Sequence, residues 1–321
     1  MADTETDAGV APAFRQAVLD GLEMRPRAIG ARWLYDFKGS EIFEAITDLP
    51  EYYPTRTERG LLEAYSGEVG EAMGPGRAVI EFGSGSSAKT PLLLSRIDAG
   101  AYVPIDISGD FLRESAETLG EQFPDLPIHP VEADFTHRVP LPDAVKPMAK
   151  LGFFPGSTIG NMVPPSAVDF LRAMKQTLGE GAMLLIGMDR IKDPAILVPA
   201  YDDAAGVTAD FNLNLIDRIN RELDGTMPRD AFAHKAVWND PLARIEMHIE
   251  AIRDVDFTVA GKSFHMDKGE TIHTENSHKY GLRDARILLR AGGWTMVQEW
   301  TDEDGKFALI LCEAQPERTA P

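Results

Sequence analysis

The sequence predicts an α/β protein in which a doubly wound parallel sheet is interrupted by an inserted helix-plus-sheet module. Short apolar runs alternate with helical stretches from residue 77 to about residue 190, which is the pattern of right-handed β-α-β units. After about residue 190 the pattern of apolar residues changes, and a helical region is followed by a series of strands that ends near residue 279. One helix and two strands follow, so we expect the C-terminal segment to complete the first sheet.

Composition and charge restrict the class of protein. The chain has 321 residues, of which 44% are hydrophobic and 26% charged, a balance typical of a folded globular protein. Its formal net charge of −19 opposes binding to nucleic acid, which depends on clustered lysine and arginine. No apolar run is long enough to span a membrane, and the N-terminal residues do not resemble a signal peptide. We therefore expect a cytoplasmic protein that acts on a small molecule, with no nucleic-acid or membrane partner.

The N-terminal region is predicted to consist of helices around a short aromatic segment. Apolar residues recur with helical spacing at residues 14–22 and again at residues 42–49. Residues 49–56 contain two prolines, so we predict that this segment breaks any helix and holds Tyr52 and Tyr53 in a loop. A further helix is predicted after this loop.

The central part of the chain predicts the parallel sheet itself. Strands are expected at residues 77–82, 102–105, 128–133, 151–154 and 183–186. Helices are expected between them at residues 87–97 and 111–123, and a third is expected to begin at Pro164, because prolines are tolerated in a first helical turn.

The later part of the chain predicts the inserted module and the return to the sheet. Residues 195–222 have helical spacing, whereas residues 235–279 alternate as strands, with a hairpin turn at residues 260–262. A helix at residues 283–291 and two strands, at residues 294–300 and 307–312, then close the first sheet. These changes of pattern indicate that an α/β domain, residues 57–191 and 281–321, is interrupted by an inserted module at residues 192–280.

The sharpest local signal is the loop at residues 81–88 (EFGSGSSA), between a predicted strand and a predicted helix. Gly83 and Gly85 permit a tight turn and a close approach of a ligand to the backbone. Asp106 ends the next strand, where a carboxylate can bind ribose hydroxyls. With Ala88, the two glycines also satisfy the fingerprint of NAD-binding proteins. The alternative is that the glycines serve only the turn.

Other residues near this loop narrow the choice of ligand. Asp134 and Phe135 follow the third predicted strand and suit the edge and the face of an adenine ring. Glu81 beside the glycines would repel a diphosphate, whereas it suits the cationic amino-acid end of S-adenosylmethionine. The sequence therefore favours S-adenosylmethionine and leaves NAD formally open.

A second polar loop, residues 155–161 (PGSTIGN), follows the fourth predicted strand, at the edge where open α/β sheets bind ligands. Asn161 can donate and accept hydrogen bonds, so it can hold a substrate amine or carboxylate. An N-cap for the helix at residues 164–178 is an equal alternative. The seven histidines lack the spacing of zinc ligands, and the lone Cys312 lies in a predicted strand, so we expect no metal.

Five longer motifs occur in order along the chain: residues 49–58 (LPEYYPTRTE), 81–90 (EFGSGSSAKT), 156–161 (GSTIGN), 201–208 (YDDAAGVT) and 274–277 (TENS). With them the chain resembles, from about residue 28 to residue 312, the L-histidine Nα-methyltransferases of ergothioneine biosynthesis. The resemblance implies a Rossmann-like class I methyltransferase sheet with an inserted α+β substrate-binding domain. It also implies three successive transfers from S-adenosylmethionine to the α-amine of L-histidine. The products would be hercynine and S-adenosylhomocysteine.

The resemblance also implies a role for individual residues. The implied cofactor contacts are Tyr35, Gly83, Lys89, Asp106, Asp134 and Phe135. Glu81 and Gly85 of the glycine loop are expected to contact the cofactor as well. The substrate carboxylate and amine would be held by Tyr52, Asn161 and Tyr201, with Gly156 and Thr208 close to the amine. The imidazole would lie against Met247, Glu275 and Ser277, with Phe43 nearby. Tyr52 and Asn161 are the candidate catalytic residues, and residues 1–56 and 192–280 become the substrate domain.

Three alternatives stay open from the sequence. The substrate can be another amino acid or a histidine that carries a thiol. The glycine loop formally allows an NAD-dependent oxidoreductase. A regulator that binds S-adenosylmethionine without turnover is the third alternative. For the enzyme we expect a monomer whose only ligands are L-histidine and the cofactor.

Overall fold

The structure, a computed structural model, describes residues 10–85, 88–107 and 109–316. The chain forms two compact units. Unit 1 runs to residue 53 and continues from residue 192 to residue 277, and unit 2 contains residues 54–191 and the chain from residue 278 onward. The sequence placed the corresponding divisions at 56/57, 191/192 and 280/281.

The helices and strands of the described residues are numbered here in chain order. They are α1 (Val10–Glu23), β1 (Arg27–Ala28), α2 (Phe37–Thr47), α3 (Tyr53–Met73), β2 (Arg77–Phe82), α4 (Thr90–Leu94), β3 (Ala99–Asp106), α5 (Gly109–Gln122), β4 (Val131–Glu132), β5 (Lys150–Phe154), α6 (Pro164–Leu178), β6 (Met183–Asp189), α7 (Pro194–Leu197), α8 (Val207–Glu222), β7 (Phe232–Asn239), β8 (Arg244–Ala251), β9 (Val255–Val259), β10 (Lys262–Met266), β11 (Thr271–His278), α9 (Leu282–Ala291), β12 (Trp294–Thr301) and β13 (Phe307–Ala314).

Unit 2 is built on a seven-stranded sheet with the order β12-β13-β6-β5-β2-β3-β4. Strands β2 to β6 are parallel, whereas β13 is antiparallel to both of its neighbours. The sheet has an apolar core on each face, so the predicted doubly wound architecture is confirmed. β3 lies on one side of β2 and β5 lies on the other, so the loop after β2 lies at the point where the strand order reverses. Ligands of open α/β sheets bind at such a point.

Side chains of β2 alternate between the two cores of unit 2. Ala78, Ile80 and Phe82 belong to the core that also contains residues of α6 and α9. Val79 belongs to the other core, which contains residues of α3 and α4. The face of Val79 is therefore also the face to which the Glu81 side chain is directed.

Unit 1 contains a four-stranded sheet with the order β1-β11-β8-β7 and a separate hairpin of β9 and β10. Ile245, Met247 and Ile249 alternate into its apolar core, as the sequence predicts. The hairpin turn at residues 260–262 is confirmed, since Ala260 and Gly261 both have positive φ values, 49° and 80°. Among the described residues, no helix is both long and apolar enough to cross a membrane.

Three predictions of local structure were wrong. Pro54 does not break a helix but lies in the first turn of α3, so Tyr53 begins that helix. The helix expected at residues 87–97 is only α4, with Lys89 at its N-cap and Pro91 in its first turn. The helix expected at residues 195–222 is divided into α7 and α8, and Gly206, with φ of 77°, precedes α8.

Candidate active site

The glycine loop of unit 2 is held from the end of the neighbouring strand. Gly83 and Gly85 have positive φ values of 71° and 48°, which glycine adopts without strain. The Gly83 N–H donates to the Ile105 carbonyl at 2.8 Å, and the Gly85 N–H donates to Asp106 Oδ2 at 3.0 Å. The structure thus brings together the two glycines and the acidic residue that the sequence singled out.

The same loop has features of a place where a ligand binds. A Cβ atom at Gly83 would stand 2.9 Å from Cζ of Phe135, so only glycine allows this close approach of backbone and ring. Ser84 Oγ is buried and has no hydrogen-bond partner among the residues that the structure describes. A buried hydroxyl in that condition favours a ligand that supplies the missing partner. The loop, the ring of Phe135 and Asp106 therefore fit an adenosine-bearing cofactor.

Asp134 and Glu81, the other two predicted acidic contacts, differ in their surroundings. Asp134 accepts hydrogen bonds from the backbone and the hydroxyl of Thr136 at 2.9 and 2.5 Å, and its side chain is 53% exposed. Glu81 is buried and accepts from Thr90 Oγ1 at 2.6 Å and from the Tyr102 hydroxyl at 2.5 Å. Burial raises the pKa of Glu81 to about 7, although the two hydrogen bonds act in the opposite direction.

A buried carboxylate that sequence reasoning missed stands between Lys89 and Gly156. Glu58 on α3 is completely buried, and its Oε2 accepts from Lys89 Nζ at 2.5 Å. The Gly156 N–H lies 2.9 and 2.8 Å from the two carboxylate oxygens. The sequence did contain a signal, because Glu58 lies three and four residues before Leu61 and Leu62 and therefore occupies the apolar face of the helix.

The loop that follows β5 carries Asn161 at the end of a short 3-10 helix, Thr158–Asn161. The N-cap of α6 is Val163, which has no side-chain capping bond, so the alternative that Asn161 caps this helix is wrong. The loop begins with Gly156 and Ser157, whose φ values are 82° and 54°. Asn161 is therefore placed by the loop itself, at the carboxyl end of the sheet.

A buried ion pair supports this loop. Lys279 Nζ lies 2.7 Å from Asp189 Oδ2, and neither side chain is exposed. The Asp189 N–H donates to Ser157 Oγ at 2.9 Å, and His278 Nδ1 donates to the Gly160 carbonyl at the same distance. The last residues of β6 and β11 thus hold the polar loop, and neither member of the ion pair was predicted from the sequence.

Aromatic side chains converge in unit 1. The ring of Phe43 stands 5.4 Å from Tyr35 and 6.3 Å from Tyr52, and Tyr52 stands 6.0 Å from Tyr201. Phe211 of α8, which was not predicted as a site residue, contacts both Tyr35 and Phe43 at 5.2 and 5.9 Å. Phe43, Tyr52 and Tyr201, which are predicted to bind the substrate, therefore lie in one cluster of rings. Tyr35, which is predicted to contact the cofactor, belongs to the same cluster.

Polar groups of β11 reach this aromatic cluster. The Tyr201 hydroxyl and Ser277 Oγ share a hydrogen bond of 2.7 Å. Glu275, two residues earlier on the same strand, is 9% exposed. Desolvation and the negative charge of Glu275 both raise the pKa of Tyr35, which keeps its hydroxyl protonated although 37% of the residue is exposed. The structure thus brings Glu275, Ser277 and the tyrosines together within unit 1.

The two remaining predicted residues of unit 1 lie on its core elements. Met247 is 2% exposed in the same apolar core against which Phe43 and Tyr52 pack. Thr208 is the second residue of α8, where its N–H donates to Asp203 Oδ1 at 2.7 Å. The predicted substrate residues lie in unit 1 except Gly156 and Asn161, and the predicted cofactor residues lie in unit 2 except Tyr35.

Glu246, His248 and His273 form the one group among the described residues whose possible metal-ligand atoms all lie within 4.8 Å of one another. The two imidazole rings stack at 4.7 Å with 26° between their planes. Lone pairs of such rings, which lie in the ring planes, do not converge on one ion. Arg244 pairs with Glu246 and helps to lower the pKa of that carboxyl to about 2, against the effect of burial. Glu246 is thus held by Asn239, Arg244 and His248, whereas Nδ1 of His248 is buried without a hydrogen-bond partner among the described residues.

Comparison with known proteins gives one family and several relatives. Residues 14–314 match the family model described as "Histidine-specific methyltransferase, SAM-dependent". A histidine N-alpha-methyltransferase of Mycolicibacterium smegmatis is 40% identical over 94% of this chain and 95% of its own length. One of Mycobacterium tuberculosis is 39% identical over 93% of this chain and 94% of its own. The ergothioneine biosynthesis protein 1 of Neurospora crassa is 30% identical over 86% of this chain and 32% of its own.

Proposed function

This chain belongs to the family of histidine-specific, S-adenosylmethionine-dependent methyltransferases, and we propose that it methylates the α-amine of L-histidine three times to form hercynine. The observation that carries the proposal is the cluster in unit 1 that joins Tyr52, Tyr201, Ser277 and Glu275. We further propose that this reaction is the first step of ergothioneine biosynthesis.

The cofactor is assigned to the glycine loop of unit 2. S-adenosylmethionine supplies an electrophilic methyl group on a sulfonium. Asp106 would bind the ribose hydroxyls, and its bond to the Gly85 N–H fixes the carboxylate for that role. Phe135, packed against Gly83, would cover the adenine, while Asp134 would face the edge of that ring. Lys89 and Tyr35 complete the proposed contacts.

Recognition of the imidazole is assigned to β11. A carboxylate at Glu275 accepts a hydrogen bond from an imidazole N–H and thereby fixes the tautomer of the substrate. Ser277 shares a hydrogen bond with Tyr201, and its hydroxyl is of a kind that can both donate and accept. Met247 would form the apolar wall. A site of this kind rejects a side chain that lacks the N–H, because buried groups are then left unpaired.

The α-amine is assigned to tyrosines and to Asn161. Tyr52 and Tyr201 would orient the amine and carboxylate, with Asn161 as a group that can both donate and accept, and Gly156 and Thr208 close to the amine. The amine must lose a proton before it attacks, and the hydroxyl of Tyr52 is the proposed group through which that proton leaves. Aromatic rings around the amine stabilise the quaternary ammonium of the product, by about 0.5–2 kcal/mol for each good cation–π contact.

Mass spectrometry of reaction products tests this proposal. The purified protein is incubated with S-adenosylmethionine and an equimolar mixture of the amino acids, together with thiolated histidine. We expect L-histidine alone to gain the mass of three methyl groups. Modification of another amino acid would overturn the assignment of Glu275 and Ser277 to an imidazole. Preference for the thiolated compound would overturn plain histidine as the substrate, and binding of the cofactor without any product would overturn catalysis.

A further inference from the structure

Glu58 is a completely buried carboxylate that touches two residues with separate proposed roles. Its Oε2 accepts from Lys89, a proposed cofactor contact, and both of its oxygens lie within 2.9 Å of the N–H of Gly156, which is proposed to lie close to the substrate amine. An ideal Cβ atom at Gly156 would stand 3.6 Å from Lys89 Nζ, so the ammonium also lies against this backbone. One side chain therefore holds both the lysine and the start of the loop after β5.

We propose that Glu58 is a positioning residue of the methyltransferase, which holds Lys89 for the cofactor and Gly156 for the reacting amine. The inference rests on the proposed function, which assigns Lys89 to the cofactor and Gly156 to the substrate amine. Glu58 itself lies inside unit 2 and is not a catalytic residue in this account.

The geometry requires a carboxylate at this position. Both neighbours of Glu58 are donors, and an ionised carboxylate offers acceptor positions only. A glutamine has the same shape but presents an NH2 group on one side, so one of the two donors would meet another donor whichever way the amide is turned. Either the lysine or the loop must then move, and catalytic groups lose much of their effect when displaced by about 1 Å.

The fold also keeps Glu58 close to the backbone around it. An ideal Cβ atom at Gly187 on β6 would stand within 1.9 Å of Glu58 Oε1, so the absence of a side chain at Gly187 leaves the space that the carboxylate fills. Gly156 has φ of 82°, a value that favours glycine and that the hydrogen bond from its N–H helps to hold. The space thus fits a side chain of this shape on α3, and the two donors select a carboxylate.

The test compares Glu58→Gln with Glu63→Gln, which makes the same change at an exposed position of the same helix. Calorimetry gives the dissociation constant of S-adenosylhomocysteine, and steady-state kinetics with L-histidine give kcat and KM. For Glu58→Gln we expect about tenfold weaker S-adenosylhomocysteine binding and about tenfold lower kcat, with the KM for histidine within about twofold of wild type. Glu63→Gln should match wild type in all three quantities.

A purely structural role would give a different result. It would lower the melting temperature of Glu58→Gln but leave affinity and kcat, calculated per folded protein, equal to those of Glu63→Gln, and this would overturn the inference. If wild type binds S-adenosylhomocysteine but does not methylate histidine, the proposed function fails, whereas the comparison of dissociation constants still tests the role of Glu58 toward Lys89.

A second pair of variants keeps the test decisive if Glu58→Gln does not fold. Lys89→Met and the double variant Glu58→Gln/Lys89→Met are compared, because the double variant leaves no buried charge without its partner. If Glu58 acts on the cofactor by holding Lys89, the double variant should bind S-adenosylhomocysteine within about twofold of Lys89→Met. A further loss of tenfold or more in the double variant would overturn the inference. Because Glu58 also holds Gly156, the kcat of the double variant should be severalfold lower than that of Lys89→Met, and an equal kcat would overturn the inference.

Discussion

The buried carboxyl of Glu81 makes the stability of the protein depend on pH in a predictable direction. It is 2% exposed and accepts hydrogen bonds from Thr90 and Tyr102, and burial raises its pKa from 4.5 to about 7. Replacement by glutamine keeps an acceptor for both hydroxyls and removes the ionisation. Glu81→Gln therefore isolates the free-energy cost of charging this site.

The magnitude follows from the two pKa values. The folded protein holds the proton more tightly than the unfolded chain, so the stability that the protonated group provides is complete below pH 4.5 and is lost as the pH rises through about 7. The difference between a pKa of 4.5 in the unfolded chain and about 7 in the folded protein corresponds to about 3 kcal/mol in total. Most of it, about 2–3 kcal/mol, should be lost between pH 5 and pH 8.

Urea unfolding of wild type and Glu81→Gln at pH 5, 6, 7 and 8 measures this effect. The free energy of unfolding of the variant, relative to wild type, should increase by about 2–3 kcal/mol from the lowest to the highest pH. Glu71→Gln, a change at an exposed position of α3, serves as the control and should show no such trend. A difference between Glu81→Gln and wild type that is constant with pH would refute the assignment of a raised pKa to Glu81.

Three further substitutions test separate parts of the account. Asp106→Ala removes the acceptor of the Gly85 N–H and should weaken S-adenosylhomocysteine binding by about tenfold to a hundredfold in calorimetry; an unchanged constant would contradict the loop assignment. Glu275→Ala should raise the KM for histidine by a similar factor while S-adenosylhomocysteine binding is kept, and equal activity would refute the imidazole contact. Lys279→Met should reduce the free energy of unfolding by about 3–5 kcal/mol, because Asp189 is left buried without its ion-pair partner. The double variant Asp189→Leu/Lys279→Met should recover most of that loss. If the effects of the two substitutions on the free energy of unfolding simply add, this would argue against the ion pair.

Periodicity in the sequence was sufficient for much of the fold. The strands of the parallel sheet, the hairpin at residues 260–262 and the helix that begins at Pro164 are confirmed, since each depends on a local pattern of apolar residues, glycine or proline. β4 is shorter than predicted, because Pro130 has no N–H to donate to a neighbouring strand. Pro54 was misjudged, because a proline that ends one helix and a proline that begins the next look alike in a short window.

Family resemblance supplied more of the candidate site than local pattern did. The resemblance drawn from five motifs is confirmed by the family match, and so is the class of S-adenosylmethionine-dependent methyltransferase, which leaves the NAD alternative without support. Glu58 was visible only as a carboxylate on an apolar helix face. The pairing of Asp189 with Lys279 joins residues 90 positions apart, and nothing in the local sequence of either residue shows that the fold buries them together.

The position of the transferred methyl groups tests the proposed reaction most directly. L-histidine is incubated with the protein and with S-adenosylmethionine that carries a ¹³C-labelled methyl group, and the product is examined by NMR. We expect all of the label to appear in one trimethylammonium signal that correlates with the α-carbon. Label on a ring nitrogen, or a product that stays at one methyl group under excess cofactor, would contradict the proposed reaction.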